Sequence, residues 1–244
     1  MSKKYIFAVA FAALALAQGA KAQNLQVFYD FGEDRKYVTT TFEMFKGDKF
    51  GDTFFFIDHY YNYTNDNKVP GKSSAINGSY FEIERGLNFW QDTELKDLSA
   101  HVEYDGSTWG AGIWCLGAKY FLHSSDYSKM LTLYLMYDIH CGLGNADVPV
   151  KFSAVWGLND IFGVSGLTFK GFCDIWGNNS EFLNKDLTVT DTKFSILTEP
   201  QLWYNLGGAF DNHLDIGTEI ELSYNFAGHK GFMCNPCAGI RWTF

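Results

Sequence analysis

Proline is scarce, four in 244 residues, and no linker, repeat or low-complexity stretch interrupts the chain, so a single domain is expected. Basic residues are also in deficit, 19 against 28 acidic ones, which argues against a nucleic acid polymer as partner. Beyond residue 22 no long hydrophobic run occurs: the longest uncharged apolar and glycine stretch is Trp109 to Ala118. That is well short of the roughly 20 residues of a membrane-spanning helix, so any span must be made by strands. His59, His101, His123, His140, His213 and His229 are scattered without metal-ligand spacing, and no Gly-Xaa-Ser-Xaa-Gly elbow is present. No catalytic residue, metal or cofactor is therefore assigned, and an enzyme is not expected.

What is present begins with an export device. Lys3 and Lys4 precede an apolar run from Tyr5 to Leu16 and the small-residue exit Ala20-Lys21-Ala22. That run is too short to anchor the chain as a helix, so residues 1–22 read as a cleaved signal peptide and 23–244 as the mature domain. Cleavage removes three lysines and no acid, leaving 16 basic against 28 acidic residues. The chain has 23 Phe, 14 Tyr, 7 Trp and 24 Gly. Aromatics favour strands and glycine favours turns, and Tyr and Trp also belong at membrane interfaces.

Alternation of apolar and polar residues marks the strands. In His213 to Phe226, Leu214, Ile216, Ile220, Leu222, Tyr224 and Phe226 alternate with Asp215, Gly217, Glu219, Glu221, Ser223 and Asn225. Leu98 to Tyr104, Leu131 to Ile139, Val148 to Trp156 and Leu167 to Ile175 behave alike, one face apolar and the other charged. Weaker segments bring the total to twelve: 25–31, 37–45, 53–61, 79–87, 98–104, 109–122, 130–139, 148–156, 167–176, 194–206, 213–226 and 232–244. Most approach the 9–11 residues that a tilted strand needs to cross a bilayer. The longest connections, Asn62 to Gly78 and Gly177 to Lys193, both follow odd-numbered strands, as extracellular loops do when the N-terminus is periplasmic and the periplasmic turns are shorter. Twelve apolar faces exceed what one soluble interior of this size holds. The expectation is an all-β fold, a single antiparallel transmembrane β-barrel of about 12 strands.

The chain ends in Gly239-Ile240-Arg241-Trp242-Thr243-Phe244, with Ile240, Trp242 and Phe244 on one face. This resembles the terminal strand of bacterial outer-membrane barrels, and the resemblance implies recognition by the barrel-assembly machinery through Phe244. With Thr41-Phe42-Glu43-Met44-Phe45, Gly51-Asp52-Thr53-Phe54-Phe55-Phe56-Ile57-Asp58, Tyr80-Phe81-Glu82-Ile83-Glu84-Arg85-Gly86 and Leu197-Thr198-Glu199-Pro200-Gln201-Leu202-Trp203, the mature chain resembles the nucleoside-specific channel-forming (Tsx-like) outer-membrane family, or a family related to it. The resemblance implies a channel in the Gram-negative outer membrane, surrounded by its lipid and carrying nucleosides.

If the apolar faces meet lipid, the inward acids are Glu43, Glu82, Glu84, Glu103, Asp174, Glu199, Asp215, Glu219 and Glu221, facing only Lys151, Lys170 and Arg241. Such an interior favours neutral or cationic small polar solutes. Glu82 with Glu84, and Glu219 with Glu221, share a face two residues apart, but no third ligand of sensible spacing accompanies them. Inward Tyr80, Tyr134, Phe172 and Trp203 would stack on planar bases or merely fill the interior. Two strands, Thr53 to Tyr61 and Trp109 to Leu122, leave open which face is inward. Five cysteines leave at least one unpaired in an oxidising compartment, and Cys234-Asn235-Pro236-Cys237 opens a strand where a redox pair would cap a helix, so a local disulfide or inert thiols is expected. The chain thus reads as a passive channel, or else as a closed barrel with a structural, adhesive or binding role through its outer loops.

Overall fold

The computed structural model describes residues 23–33, 35–61, 76–110, 112–183 and 189–244. The export signal expected at residues 1–22 lies outside them. The first seven strands are β1 (Gln23–Asp30), β2 (Val38–Asp48), β3 (Gly51–Tyr61), β4 (Ile76–Leu87), β5 (Leu98–Ser107), β6 (Ile113–His123) and β7 (Lys129–His140). They are followed by β8 (Val150–Leu158), β9 (Leu167–Leu183), β10 (Val189–Thr198), β11 (Gln201–Asn205), β12 (Leu214–Phe226) and β13 (His229–Thr243). Each pairs antiparallel with its neighbours, and β10 and β11 both lie between β9 and β12. They are two halves of one stave broken at Glu199-Pro200, so thirteen segments make a twelve-strand barrel. Proline has no N–H to donate and forces the break, while the Pro200 carbonyl still accepts from Ile220 N–H at 3.1 Å.

Closure joins the first and last described strands. β1 pairs with β13 from Asn24↔Thr243 to Asp30↔Cys237, and Phe244 N–H donates to Gln23 O at 3.0 Å. A closed sheet leaves no unpaired edge, which is what hydrocarbon surroundings require.

The burial pattern is inverted relative to a soluble protein. Buried positions hold Gln26, Asp30, His101, Glu103, Asp138, Lys151, Asp215 and Glu221, while Ile83, Leu116, Leu135, Phe152, Ile175, Ile216 and Ile240 are exposed. Exposed Tyr29, Trp114, Tyr137 and Tyr224 lie toward one end, and exposed Tyr120 and Tyr204 toward the other. Apolar staves flanked by aromatics at both ends form the outer surface of a membrane barrel. The end carrying Gln23 and Phe244 is the terminal end, and the opposite one the distal end.

Two expectations are corrected. Gly177 to Lys193 is not a loop: β9 continues to Leu183 and β10 starts at Val189, with Thr190↔Phe182 and Thr192↔Ser180 in register. Its Gly-Asn-Asn-Ser-Glu stretch is polar on both faces, so no period-two signal marks it. Turns at the terminal end are not uniformly shorter, since Asn88–Asp97 there spans more residues than Thr108–Gly112 or Ala227-Gly228 at the distal end. Of the two alternatives for the cysteines, a local disulfide or inert thiols, the disulfide is absent: all five are free, and Cys234 and Cys237, three apart on β13, point to opposite faces. Of the connection expected from Asn62 to Gly78, residues 76–78 belong to β4, while residues 62–75 lie outside the described ones.

The two open registers are settled by pairing. Glu43↔Phe56↔Glu82 and Thr41↔Asp58↔Tyr80 turn Phe54, Phe56, Asp58 and Tyr60 inward and leave Phe55, Ile57 and His59 outward. In β6, Ile113, Cys115 and Lys119 face inward and Trp114, Leu116 and Tyr120 outward, while Trp109 precedes the strand.

Candidate functional site

The lumen divides into two unlike halves. Toward the terminal end, Trp203 is 0% exposed; its ring lies 5.5 Å from that of Phe28, and the Arg241 guanidinium stacks on it at 4.6 Å. Its indole N–H donates to Gln201 Oε1 at 2.8 Å, Gln201 donates to Glu219 at 2.5 Å, and Arg241 donates to Asp215 at 3.0 Å. Gly217 and Gly239, paired across β12 and β13, make room for these rings. A Cβ at Gly217 would stand 2.4 Å from the Trp203 ring, and one at Gly239 2.6 Å from Phe28. Glu43 is held by Asn24 at 3.0 Å and lies 3.5 Å from Lys170. Across the lumen, His101 packs edge-on against Tyr134, and Lys119 reaches Asp52 at 2.5 Å.

Toward the distal end the lumen opens into a cavity of about 670 Å³. Its acids are Asp58, Glu82, Asp105, Asp138, Asp174, Glu199 and Glu221, against the strong bases Arg35 and Lys151. On one wall two like-charged pairs stand directly opposite each other, Glu82↔Asp105 and Glu84↔Glu103, an arrangement that repels unless cations intervene. Lys151 is the principal relief: its ammonium donates to Glu103 at 2.8 Å and lies 3.6 Å from both Asp105 and Asp174. His101 Nε2 bonds Glu103 at 3.0 Å, and the Tyr80 hydroxyl donates to Glu82. The opposite wall is pinned by Arg35 from the β1–β2 loop, which forks onto both Glu221 oxygens at 2.6 and 2.7 Å and reaches Asp30 at 3.2 Å. Burial works most strongly against the charged guanidinium, but Glu221, Tyr37 and Asp30 together outweigh it and hold the Arg35 pKa above its ordinary value. In the same loop, burial pushes the Tyr37 hydroxyl up to about 12.

The residues singled out from sequence all face the lumen but not one site. Tyr80, Glu82, Phe172, Asp174, Glu199 and Glu221 line the cavity. Glu84, Glu103 and Tyr134 are buried beside it, and Glu43, Trp203, Asp215 and Glu219 belong to the packed network below. Sequence reasoning left out Asp58, Asp105 and Asp138 as site residues, although Asp105 and Asp138 share the parity of Glu103 and Tyr134. Arg35 and Trp109 sit on loops, where no periodicity could reveal them.

The fold is shared with barrels of known structure. A NanC porin in a rhombohedral crystal form aligns with TM-score 0.57 and 9% identity over 91% of this chain and 100% of that one. The Escherichia coli outer membrane phospholipase A aligns with TM-score 0.55 and 10% identity, covering 91% and 96%. The Salmonella typhi phospholipase dimer with bound calcium gives 0.54 and 10%, covering 91% and 90%. No curated protein sequence matches significantly. The model of the family described as domain of unknown function, DUF5020, matches residues 22–244.

Proposed function

The chain belongs to the DUF5020 family, and we propose that it is an outer-membrane channel for passive uptake of small polar solutes. Residues 1–22 are its export signal, Phe244 its mark for the barrel-assembly machinery, and the distal end its extracellular mouth. The observation that carries this reading is the acidic cavity, seven carboxylates against two strong bases, which repels anions and concentrates neutral and cationic solutes. Tyr80, Phe172, Trp109 and Trp176 stand beside these acids, a wall suited to planar, hydrogen-bonding rings such as nucleosides. Glu199 and Glu221 are among these cavity acids, Glu84, Glu103 and Tyr134 flank the path, and Glu43, Trp203, Asp215 and Glu219 form the narrow lower passage. The porin-like fold agrees with this reading. Its test is single-channel conductance and nucleoside efflux of refolded protein in planar bilayers and liposomes. Cation-preferring conductance blocked by nucleosides is the expected result; conductance without block removes the nucleosides, and a folded, silent barrel removes the channel.

A second reading, an enzyme acting on membrane lipid, is favoured by one observation. On the outward face, His59 Nδ1 lies 2.7 Å from the Ser79 hydroxyl, a base within reach of a nucleophile where acyl chains would lie. Phospholipid hydrolysis lost in Ser79→Ala, with folding intact, would support it; a wild-type barrel that leaves phospholipid unchanged removes it.

A further inference from the structure

We propose that Glu103, Asp105, Cys115 and Asp138 form a site for a divalent cation of the zinc or cadmium class, entered from the distal cavity. Ligand atoms of Glu103, Asp105 and Cys115 all lie within 4.8 Å of one another, and all three residues are buried. Asp138 stands opposite Cys115 in register on β7 and is only 2% exposed. Asp105 Oδ1 and Asp138 Oδ1 are both buried without a hydrogen-bond partner. A carboxylate oxygen withdrawn from water and given no donor costs free energy, and a cation among these buried groups would satisfy both oxygens.

Charge points the same way. Glu82, Glu84, Glu103, Asp105, Asp138 and Asp174 crowd one wall, with the Lys151 ammonium among Glu103, Asp105 and Asp174 and Lys119 further toward the terminal end beside Tyr134. Buried charge of one sign is stable only when compensated. The donor set selects the ion: carboxylates alone would suit magnesium or calcium, whereas adding sulfur shifts preference toward zinc and cadmium. On binding, the Cys115 thiol gives its proton to solvent and the thiolate bonds the metal. Asp105, Cys115, Asp138 and Lys151 line the cavity, so the ion has an entry path. The neighbouring group Glu84, His101 and Glu103 has no cavity-lining member and is less accessible. Lys151 is the built-in competitor, holding Glu103 at 2.8 Å with Asp174 3.6 Å away as an alternative partner. The proposal does not depend on whether the lumen conducts.

The test is titration of the refolded full barrel in detergent with Cd²⁺ and then Zn²⁺ alone, heat-modifiable migration confirming the fold of each variant. Expected are tight uptake of one equivalent and the ultraviolet charge-transfer band of a cadmium–thiolate bond. Cys115→Ser should abolish the band, Asp138→Asn should weaken binding at least about tenfold, and Lys151→Gln should tighten it. Absence of uptake overturns the proposal, as does a band that survives in Cys115→Ser, which would place the metal on exposed Cys141 or Cys234. Should Cys115→Ser fail to fold, unchanged affinity in Asp138→Asn and Lys151→Gln overturns it equally.

Discussion

The two halves of the lumen are built from the same strands and the same alternation, yet one is packed and the other hollow. In the terminal half, charged groups come in matched sets: Arg241 with Asp215, Lys170 with Glu43, and Gln201 bridging Trp203 and Glu219. In the distal half, acids outnumber bases and several face each other directly. Matched polar networks around buried rings hold a wall rigid, whereas unmatched charge around a cavity is suited to receiving something from outside. The difference separates a structural floor from a candidate binding region within one barrel.

The sharpest way to break the contrast is to remove the floor. Trp203→Ala should destabilise the barrel by about 3–5 kcal/mol, the usual cost of emptying a large buried site, and should raise conductance if the terminal half limits flow. Denaturant titration and bilayer recording check the two parts. Gly217→Ala attacks the same packing by crowding, because its Cβ would meet the Trp203 ring at 2.4 Å. A loss of about 1–3 kcal/mol is expected, with no increase in conductance.

Arg35→Ala tests the distal wall. It leaves Glu221 and Asp30 without their fork, at a cost of about 1–2 kcal/mol for a pair still partly open to water, and should raise cation over anion preference in reversal-potential measurements. Glu82→Gln should do the opposite, lowering cation preference while changing stability little; unchanged selectivity would remove Glu82 from the path. The smallest effect concerns the β6–β7 turn at the terminal end, where hydrogen bonds from Ser124 Oγ, Ser128 N–H and Ser128 Oγ lower the Asp126 pKa from 3.8 to about 2. A depressed carboxylate stabilises the turn above about pH 4 and loses that contribution as pH falls through about 2. The melting temperatures of wild type and Asp126→Asn should therefore differ at neutral pH and converge in acid.

Much of the barrel was legible before folding. Each of the twelve segments read from alternation contains a strand, because a stave between lipid and polar lumen must obey period two. The reading failed where that constraint lapses. The β9–β10 hairpin beyond Gly177 is polar on both faces, and Glu199-Pro200 interrupts a stave without disturbing its apolar face. Strands 53–61 and 109–122 stayed ambiguous because Phe54, Phe55, Phe56 and Ile57 are large and apolar on both faces, leaving cross-strand pairing to decide. The inward acids were read correctly as facing the lumen, because parity alone sets the face.

By itself, then, the sequence determined the class of fold, the strand number and the polarity of the faces outside strands 53–61 and 109–122, since these follow from local alternation and from the short reach of every apolar run. Only the tertiary structure decided which inward residues meet. Glu103, Asp105, Cys115 and Asp138 come from three strands, and Arg35 reaches Glu221 across 186 positions of chain. Such contacts depend on the register and closure of the whole barrel, which no short window of sequence encodes. For the same reason, the division of the lumen into a packed floor and an acidic cavity emerged only when β13 closed against β1.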